Sequence, residues 1–164
     1  MSLDDNWFTE QSLPMGCAFS LHLKAKLYEE QTPFQSIAIY DTTEFGKLMT
    51  LDGLIMLTER DNFIYHEMMS HPVLFTHPNP RHIVIIGGGD CGTLREVLKH
   101  PTIEKVLQIE IDERVTRLSE QYFPSLCDSN NDPRAKFHFT DGIQWMANAP
   151  DSSIDVIIID STDP

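Results

Sequence analysis

Residues 82–92 read HIVIIGGGDCG, and this stretch decides the fold. Its four consecutive apolar residues, Ile83–Ile86, are typical of a strand covered by helices on both faces. Gly87, Gly89 and Gly92 then follow the G-x-G-x-x-G spacing, at which a strand turns tightly into a helix and lets a nucleotide-type ligand approach the backbone. The stretch therefore predicts the first strand and the ligand loop of a parallel α/β sheet.

The chain beyond residue 80 continues this pattern. Strands are predicted at His82–Ile86, Lys105–Ile111, Ala135–Thr140 and Asp155–Asp160, and helices near Thr93–Lys99, Glu113–Tyr122 and Ile143–Ala147. Such alternation is typical of a Rossmann-like open parallel sheet with helices on both faces. With the strand order 3-2-1-4, the first and fourth strands are neighbours beside the crevice where ligands bind.

Residues 1–60 predict a small antiparallel β-sheet domain. Leu21–Leu27 alternates apolar and polar residues, and Asp52-Gly53 favours a type I′ hairpin between Lys47–Leu51 and Leu54–Thr58. Residues 61–80 predict a helix, capped by Asp61 and interrupted near Pro72, followed by a linker. Residues 81–164 then form the Rossmann-like domain, truncated after its fourth strand.

Composition narrows the class of ligand. Among 164 residues, 12 Lys and Arg face 25 Asp and Glu, which gives a formal charge of −13. Nucleic acids need clustered basic residues, so such a partner is disfavoured, whereas cationic ligands are compatible. We expect no metal site, because the histidines of the segment His66-Glu67…His71 are five positions apart and do not form H-E-x-x-H.

The lack of a predicted targeting signal and the spacing of the cysteines favour the cytoplasm. The acidic N-terminus predicts no signal peptide, and no apolar run approaches the roughly 20 residues of a membrane helix. Cys17, Cys91 and Cys127 are widely spaced, which favours reduced thiols. We therefore expect neither nucleic acid nor membrane as a partner.

Two acidic residues indicate which nucleoside ligand binds. Glu110 ends the second strand 21 positions after Gly89, where an acid can accept hydrogen bonds from ribose hydroxyls, although a surface acid is the alternative. Asp90 would repel a pyrophosphate by about 1–4 kcal/mol at 4 Å, and it would attract a sulfonium or an alkylammonium. A helix N-cap is the simpler interpretation of Asp90, and it is compatible with ligand binding.

A second acidic cluster, Asp160-Ser161-Thr162-Asp163-Pro164, follows the fourth strand. Asp160 is predicted to face Asp90 across the crevice, with Asp163 close by. Clustered carboxylates repel one another unless a cation compensates them, so an amine ligand explains the cluster better than an Asx-turn does.

Weaker candidates lie elsewhere in the chain. Asp141-Gly142 closes the third strand, where the acid could accept a hydrogen bond from an adenine amino group or could simply form a turn. Tyr65 and His66 lie on the helix that leads into the α/β part, where partly buried packing is their alternative role.

Taken together, these residues resemble the spermidine synthase family, the polyamine aminopropyltransferases. The resemblance runs from about Phe19 to the last residue and rests on Phe34-Gln35, Leu51-Asp52-Gly53, Thr58-Glu59-Arg60-Asp61, Phe63-Ile64-Tyr65-His66-Glu67, Gly87–Asp90, Leu94-Arg95-Glu96-Val97, Glu110-Ile111-Asp112, Asp141-Gly142 and Asp160–Pro164. It implies a small N-terminal β-domain followed by a methyltransferase-like Rossmann domain. It also implies transfer of an aminopropyl group from decarboxylated S-adenosylmethionine to putrescine, which releases methylthioadenosine and a proton, and a homodimer or higher homo-oligomer.

The resemblance also assigns roles to residues. It implies a donor site at Gln35, Gly87, Gly89, Asp90, Glu110, Asp141 and Gly142, where Asp90 holds the aminopropyl ammonium. It implies a diamine site at Tyr65, His66, Asp90, Asp160, Ser161, Thr162 and Asp163, where Asp160 accepts the proton. It implies no cofactor and no metal, with decarboxylated S-adenosylmethionine as co-substrate.

Two departures from the family pattern stand out. Cys91 occupies a position where the family usually has glycine, which strains the backbone if that position has a positive φ. The chain also stops at Pro164, whereas the family continues with a gate-like loop and the rest of the sheet, so the segment is expected to be the donor-binding portion of a longer enzyme.

Two alternative functions remain at this point. An NAD-dependent oxidoreductase would need a catalytic His or a Lys/Tyr arrangement downstream, and Asp90 in the phosphate loop counts against it. A non-catalytic polyamine- or nucleoside-binding module would use the same crevice without turnover. The acceptor amine is also open among putrescine, cadaverine and spermidine.

Overall fold

The computed structural model describes residues 3–161 and divides the chain into two compact units between Asn62 and Phe63. The segment 61–80, interpreted above as a helix and a linker, therefore lies almost wholly in the second unit. No helix within residues 3–161 is long and apolar enough to cross a membrane.

The first unit is a five-stranded antiparallel sheet. Its strands follow chain order: β1 (Trp7–Ser12), β2 (Cys17–Gln31), β3 (Ser36–Thr42), β4 (Lys47–Leu51) and β5 (Leu54–Thr58). The predicted hairpin is confirmed, because Asp52 (φ 50°) and Gly53 (φ 78°) both have the positive φ of a type I′ turn.

The sequence did not predict β1. The segment WFTEQS is largely polar and shows little apolar periodicity, so a local pattern cannot identify it. Tertiary partners hold it in place: β1 pairs with β2 from Trp7↔His22 to Ser12↔Cys17, and Glu10 accepts a hydrogen bond from the backbone N–H of Ile55 at 2.7 Å.

The second unit is a parallel sheet with helices. Its elements are α1 (Asn62–Thr76), β6 (His82–Gly87), α2 (Gly92–Leu98), β7 (Lys105–Glu110), α3 (Glu113–Tyr122), β8 (Ala135–Phe139), α4 (Gly142–Ala147) and β9 (Val156–Asp160), with a short 3₁₀ turn at Pro124–Leu126. The four strands lie in the order β8-β7-β6-β9, all parallel, which confirms the predicted order 3-2-1-4. The carboxyl ends of all four strands therefore meet at one edge of the sheet.

The predicted interruption at Pro72 is wrong, since α1 runs through it to Thr76. A proline in a helix removes one backbone hydrogen bond, but packing of the helix can offset that loss. Ser70 and Leu74 on either side of Pro72 are buried, and the Thr76 hydroxyl donates to the carbonyl of Pro72 at 2.6 Å. Tertiary burial therefore overrides the local signal.

Strand β9 departs from the expected burial on both faces. Val156 and Ile158 lie in the main core, whereas Ile157 and Ile159 are 45% and 65% exposed. On the second face of the sheet, residues of α4 pack over β6 and β7 instead. Within the described residues, helices cover both faces at the centre of the sheet but only one face of β9.

Candidate active site

The glycine loop after β6 lies tightly against the end of β9. Gly87 and Gly88 have φ values of 84° and 67°, and the Gly88 N–H donates to the carbonyl of Asp160 at 2.7 Å. A Cβ on Gly87 would stand 2.0 Å from that same carbonyl oxygen. Both the dihedral angle and the space therefore require glycine at position 87.

The other two motif glycines make room for site side chains. A Cβ on Gly89 would lie 2.7 Å from a carboxylate oxygen of Glu110, and a Cβ on Gly92 would lie 2.2 Å from the ring of His66. Each of the three glycines in the G-x-G-x-x-G spacing thus lies in close contact with a different residue: Asp160, Glu110 or His66.

Asp160 is the most constrained acid at this edge. Tyr65 donates its phenolic O–H to Oδ1 at 2.8 Å, and Thr93 donates its hydroxyl to Oδ2 at 2.6 Å. Burial raises the pKa of Asp160 and the charge of Asp90 raises it further, while the Thr93 and Tyr65 hydrogen bonds act in the opposite direction. The two carboxylates are thus electrostatically linked, as the sequence predicted.

Asp90 is held by two contacts, but it is not the N-cap residue that its position suggested. Its Oδ1 accepts a hydrogen bond from the backbone N–H of Gly92 at 2.7 Å, but α2 begins at Gly92, so its N-cap is Cys91, one residue later than Asp90. Its Oδ2 lies 3.2 Å from Nε2 of His66. These two contacts fix the orientation of the Asp90 side chain.

His66 is buried against Gly92 and Asp90 of the glycine loop, with 1% of its side chain exposed. Burial lowers its pKa, but the hydrogen bond and the charge of Asp90 raise the pKa above the ordinary value overall, with help from Asp160. The Nδ1 atom is buried and has no hydrogen-bond partner among the described residues. An N–H at Nδ1 would thus lack an acceptor, so we assign the hydrogen to Nε2, where it points at Asp90.

Glu110 lies at the end of β7, on the other side of β6 from Asp160. Its Oε1 accepts the backbone N–H of Asp112 at 2.9 Å. The side chain is almost fully buried, and burial raises the pKa of Glu110 to about 6. The carboxylate is therefore oriented beside Gly89 and is mostly ionised at neutral pH.

Asp141 and Gly142 begin α4, after β8. Oδ1 of Asp141 accepts the backbone N–H groups of Ile143 at 2.7 Å and of Gln144 at 3.1 Å, so the residue is a helix N-cap. A Cβ on Gly142 would lie 2.7 Å from Ile86 of β6. These contacts place the pair at the same sheet edge as the glycine loop.

The remaining predicted residues are not brought into this cluster by the described contacts. Gln35 lies in the first unit, in the turn before β3, where its backbone bonds Thr32. Ser161 is exposed and follows β9, and Thr162 and Asp163 lie outside the described residues.

Two site residues were not predicted. Thr93 is fully buried and bonds Asp160, and Gln108 is fully buried and donates to the carbonyl of Gly88 at 2.6 Å. A single polar residue inside the apolar strand KVLQIE could have drawn attention to Gln108. Thr93 carries no such signal, because a threonine in the first turn of a helix is ordinary.

Cys91 adopts the conformation that glycine would favour. Its φ is 70°, in the left-handed region, and its side chain is fully buried. The strain expected from the sequence is therefore present, of order 1–2 kcal/mol relative to glycine.

This arrangement concentrates negative charge at the carboxyl edge of the parallel sheet. Asp90 and Asp160 lie at the ends of neighbouring strands, and Glu110 lies one strand away. A ligand with a cationic chain and a ribose would meet a partner at each end, whereas a pyrophosphate would meet repulsion.

Comparison with known proteins gives a consistent result over the whole chain. Residues 62–164 match the model of the spermine/spermidine synthase domain family, and residues 6–59 match that of the spermidine synthase tetramerisation domain. Curated relatives named polyamine aminopropyltransferase are 66% identical over the full chain in Thioalkalivibrio sulfidiphilus and in Nitrosococcus oceani. The chain spans 57% and 58% of their lengths.

Solved structures agree with the sequence matches. A spermidine synthase in complex with the transition-state analogue AdoDATO superposes with a TM-score of 0.93 at 38% identity, covering 100% of this chain and 56% of that one. A spermidine synthase from Thermotoga maritima gives a TM-score of 0.91 at 37% identity, covering 98% of this chain and 56% of that one. These superpositions confirm the fold class predicted from the sequence.

Proposed function

This chain belongs to the spermine/spermidine synthase family, and on that premise we propose that it forms the donor-binding part of a polyamine aminopropyltransferase. The proposed reaction transfers an aminopropyl group from decarboxylated S-adenosylmethionine to putrescine and yields spermidine and methylthioadenosine. Because the chain spans just over half of its curated relatives, the activity is proposed for the protein of which this chain is a part.

The observation that carries the proposal is the pair of acids at the ends of β6 and β9. Asp90 is held by Gly92 and His66, and Asp160 is held by Tyr65 and Thr93, so neither carboxylate needs the other as a partner. Two oriented carboxylates favour a ligand with positive charges, and both the donor and a diamine carry such charges. In this proposal Asp90 binds the aminopropyl ammonium of the donor.

The nucleoside part of the donor is assigned to the neighbouring strand ends. Glu110 accepts hydrogen bonds from the ribose hydroxyls, Gly87 and Gly89 let the thioether region approach the backbone, and Asp141 with Gly142 lies at the adenine. Gln35, in the first unit, is proposed as a further methylthioadenosine contact on the resemblance alone.

The acceptor amine is assigned to Tyr65, His66, Asp90, Asp160 and the segment Ser161–Asp163. An alkylammonium has a pKa near 10, so it must lose a proton before it can attack. Burial and the charge of Asp90 raise the pKa of Asp160, which makes its carboxylate a better proton acceptor than an ordinary aspartate.

The proposed transfer is a nucleophilic substitution at the carbon next to the sulfonium. The amine nitrogen forms a bond to the carbon next to the sulfonium, the carbon–sulfur bond breaks, and its electron pair neutralises the sulfur of methylthioadenosine. The proton of the amine passes to Asp160 and then to water. The sulfonium carbon is already activated, so the main contribution of the protein is to position the amine for in-line attack.

Assembly and compartment are part of the same proposal. The match of residues 6–59 to a tetramerisation domain supports a homo-oligomer. The wide spacing of Cys17, Cys91 and Cys127 in the sequence favours reduced thiols, and we propose a cytoplasmic protein on that ground.

The proposal is tested by incubating the protein with decarboxylated S-adenosylmethionine and, separately, putrescine, cadaverine or spermidine, while methylthioadenosine release and donor binding are measured. We expect donor binding and release that depends on the amine. Asp160→Asn should lower the release rate by about 100-fold or more and weaken donor binding far less, because its role arises at deprotonation.

The control is Asp151→Asn, which removes an exposed carboxylate outside the site and should change neither quantity. Donor binding without release for any amine would favour the non-catalytic binding module. If the donor does not bind at all, the assignment of the crevice is wrong.

A further inference from the structure

A group of side chains that could bind a metal ion lies on α1 and α2, outside the residues assigned above. One ligand atom each from Glu67, His71 and Glu96 lies within 4.8 Å of the others. Glu67 and His71 are four positions apart on α1 and thus share a helix face, and Glu96 projects from α2. The sequence analysis rejected a metal site at His66-Glu67…His71 because the H-E-x-x-H spacing is absent, and it could not find Glu96, which lies 25 positions beyond His71.

His71 is already oriented as a ligand. Its Nε2 lies 3.3 Å from Oε2 of Glu96, while its Nδ1 lies 2.9 Å from Nε2 of His100. Histidines that bind metals usually donate their other ring N–H to a neighbouring acceptor, which fixes the ring and the tautomer. When a metal ion is bound, His100 would accept the Nδ1–H of His71, and Nε2 would then carry the lone pair that binds the ion beside Glu96.

Glu96 is the buried member of the group, with a fully buried side chain. Its Oε1 accepts the Arg95 guanidinium at 2.9–3.0 Å. Its Oε2 is buried, and no described donor reaches it with hydrogen-bond geometry, although the Lys99 ammonium stands 2.5 Å away. Arg95 thus compensates one oxygen of Glu96, and the other oxygen faces His71 while it forms an ion pair with the flexible, half-exposed Lys99.

We propose that Glu67, His71 and Glu96 bind one divalent transition-metal ion of the zinc class, which replaces the ammonium of Lys99 at Oε2 of Glu96. One imidazole nitrogen and two carboxylate oxygens form a three-ligand set that leaves a fourth tetrahedral position for water. The imidazole favours zinc, cobalt or nickel over magnesium or calcium, which prefer oxygen ligands.

The distances between the three ligand atoms need only a small change to fit a tetrahedral metal ion. Metal bonds of about 2.0 Å in a tetrahedral site place ligand atoms about 3.3 Å apart. His71 and Glu96 already have this separation. Glu67 is partly exposed, so its side chain can rotate towards the pair.

The ion would have a structural role. Helix α1 carries Tyr65 and His66 next to Glu67, and α2 begins beside Asp90. A metal shared by the two helices would fix the element that carries these side chains against the element that follows the glycine loop. This inference does not depend on the reaction proposed above.

The test is a titration of the metal-free protein with Co²⁺, whose visible absorption reports a low-symmetry four-coordinate site, followed by displacement with Zn²⁺. We expect one saturable Co²⁺ equivalent. His71→Gln should weaken binding at least about tenfold, since outer-shell changes alone already cost 10–100-fold. Lys99→Gln should tighten binding at least about fivefold, because it removes a competing positive charge next to the ion.

The controls are matched to these two changes. His138→Gln and Lys136→Gln alter exposed residues outside the group and should each leave affinity within about twofold of the parent. Far-UV circular dichroism checks that His71→Gln folds, and Lys99→Gln tests the same claim without touching a ligand.

Several results would overturn the proposal: no saturable band, unchanged affinity in His71→Gln, weaker binding in Lys99→Gln, or equal displacement by Mg²⁺ or Ca²⁺. A thiolate charge-transfer band would assign the ion to cysteine and would overturn the proposal as well.

Discussion

Two glycine turns of this chain, at Asp52-Gly53 and at Gly87-Gly88, share positive φ angles for different reasons. Asp52-Gly53 and Gly87-Gly88 both combine two successive residues of positive φ. A Cβ on Gly53 would meet nothing within 4 Å, whereas a Cβ on Gly87 would stand 2.0 Å from the carbonyl oxygen of Asp160. The hairpin needs glycine only for its dihedral angle, and the loop after β6 needs it also for space.

This difference separates a turn that only connects strands from a turn that builds a site. At the hairpin, any residue that tolerates positive φ keeps the fold. In the loop, each motif glycine lies against one candidate site residue: Gly87 against Asp160, Gly89 against Glu110, and Gly92 against His66. The loop thus brings these side chains close to the backbone that a ligand would approach.

The largest expected effect comes from replacing the two turn glycines by alanine. Gly87→Ala should destabilise the second unit by more than about 4 kcal/mol, since its Cβ overlaps backbone that is paired with β6. Gly53→Ala should destabilise the first unit by only about 1 kcal/mol, the cost of positive φ for an L-residue.

The two tryptophans allow each unit to be followed separately. Trp145 lies in the second unit and Trp7 in the first, so Trp7→Phe and Trp145→Phe backgrounds report the two denaturation curves individually. Equal losses in the two alanine variants would mean that the close approach at Gly87 has no energetic consequence, and the distinction between the turns would fail.

A smaller effect is expected at Cys91, the one non-glycine residue of positive φ in the loop. Cys91→Gly and Cys91→Ala remove the same thiol, so the difference between them isolates the strain of a Cβ at φ 70°. Cys91→Gly should be more stable than Cys91→Ala by about 1 kcal/mol in the free energy of unfolding of the second unit. Greater stability of the alanine variant would show that this backbone is not strained.

Much of the second unit follows from local patterns. The continuous apolar runs predict β6 and β9, and the glycine spacing predicts the loop. The role of Glu110 follows from its place at the end of the second strand, 21 positions after Gly89. The parallel order then brings Asp90 and Asp160 to one edge without any further information. The hairpin at Asp52-Gly53 is predictable for the same reason, because turn chemistry is local.

The parts that the sequence did not predict depend on contacts between distant residues. β1 is specified by its partner strand, α1 continues through Pro72 because its neighbours are buried, and Thr93 reaches Asp160 across 67 positions. Residue patterns record periodicity and spacing, but they do not record which side chains meet across elements.

We propose above that the sheet edge beside Asp90 binds a nucleoside that carries a cationic aminopropyl chain. Calorimetric titration with decarboxylated S-adenosylmethionine and with S-adenosylmethionine tests it most directly, in the parent chain and in Asp90→Asn. The asparagine retains an oxygen for the Gly92 N–H but loses the charge that attracts the terminal ammonium and repels the extra carboxylate. We expect the parent to prefer the decarboxylated ligand and Asp90→Asn to reduce that preference at least about fivefold. An unchanged ratio of the two affinities would contradict the assignment of Asp90 and, with it, the account of the crevice.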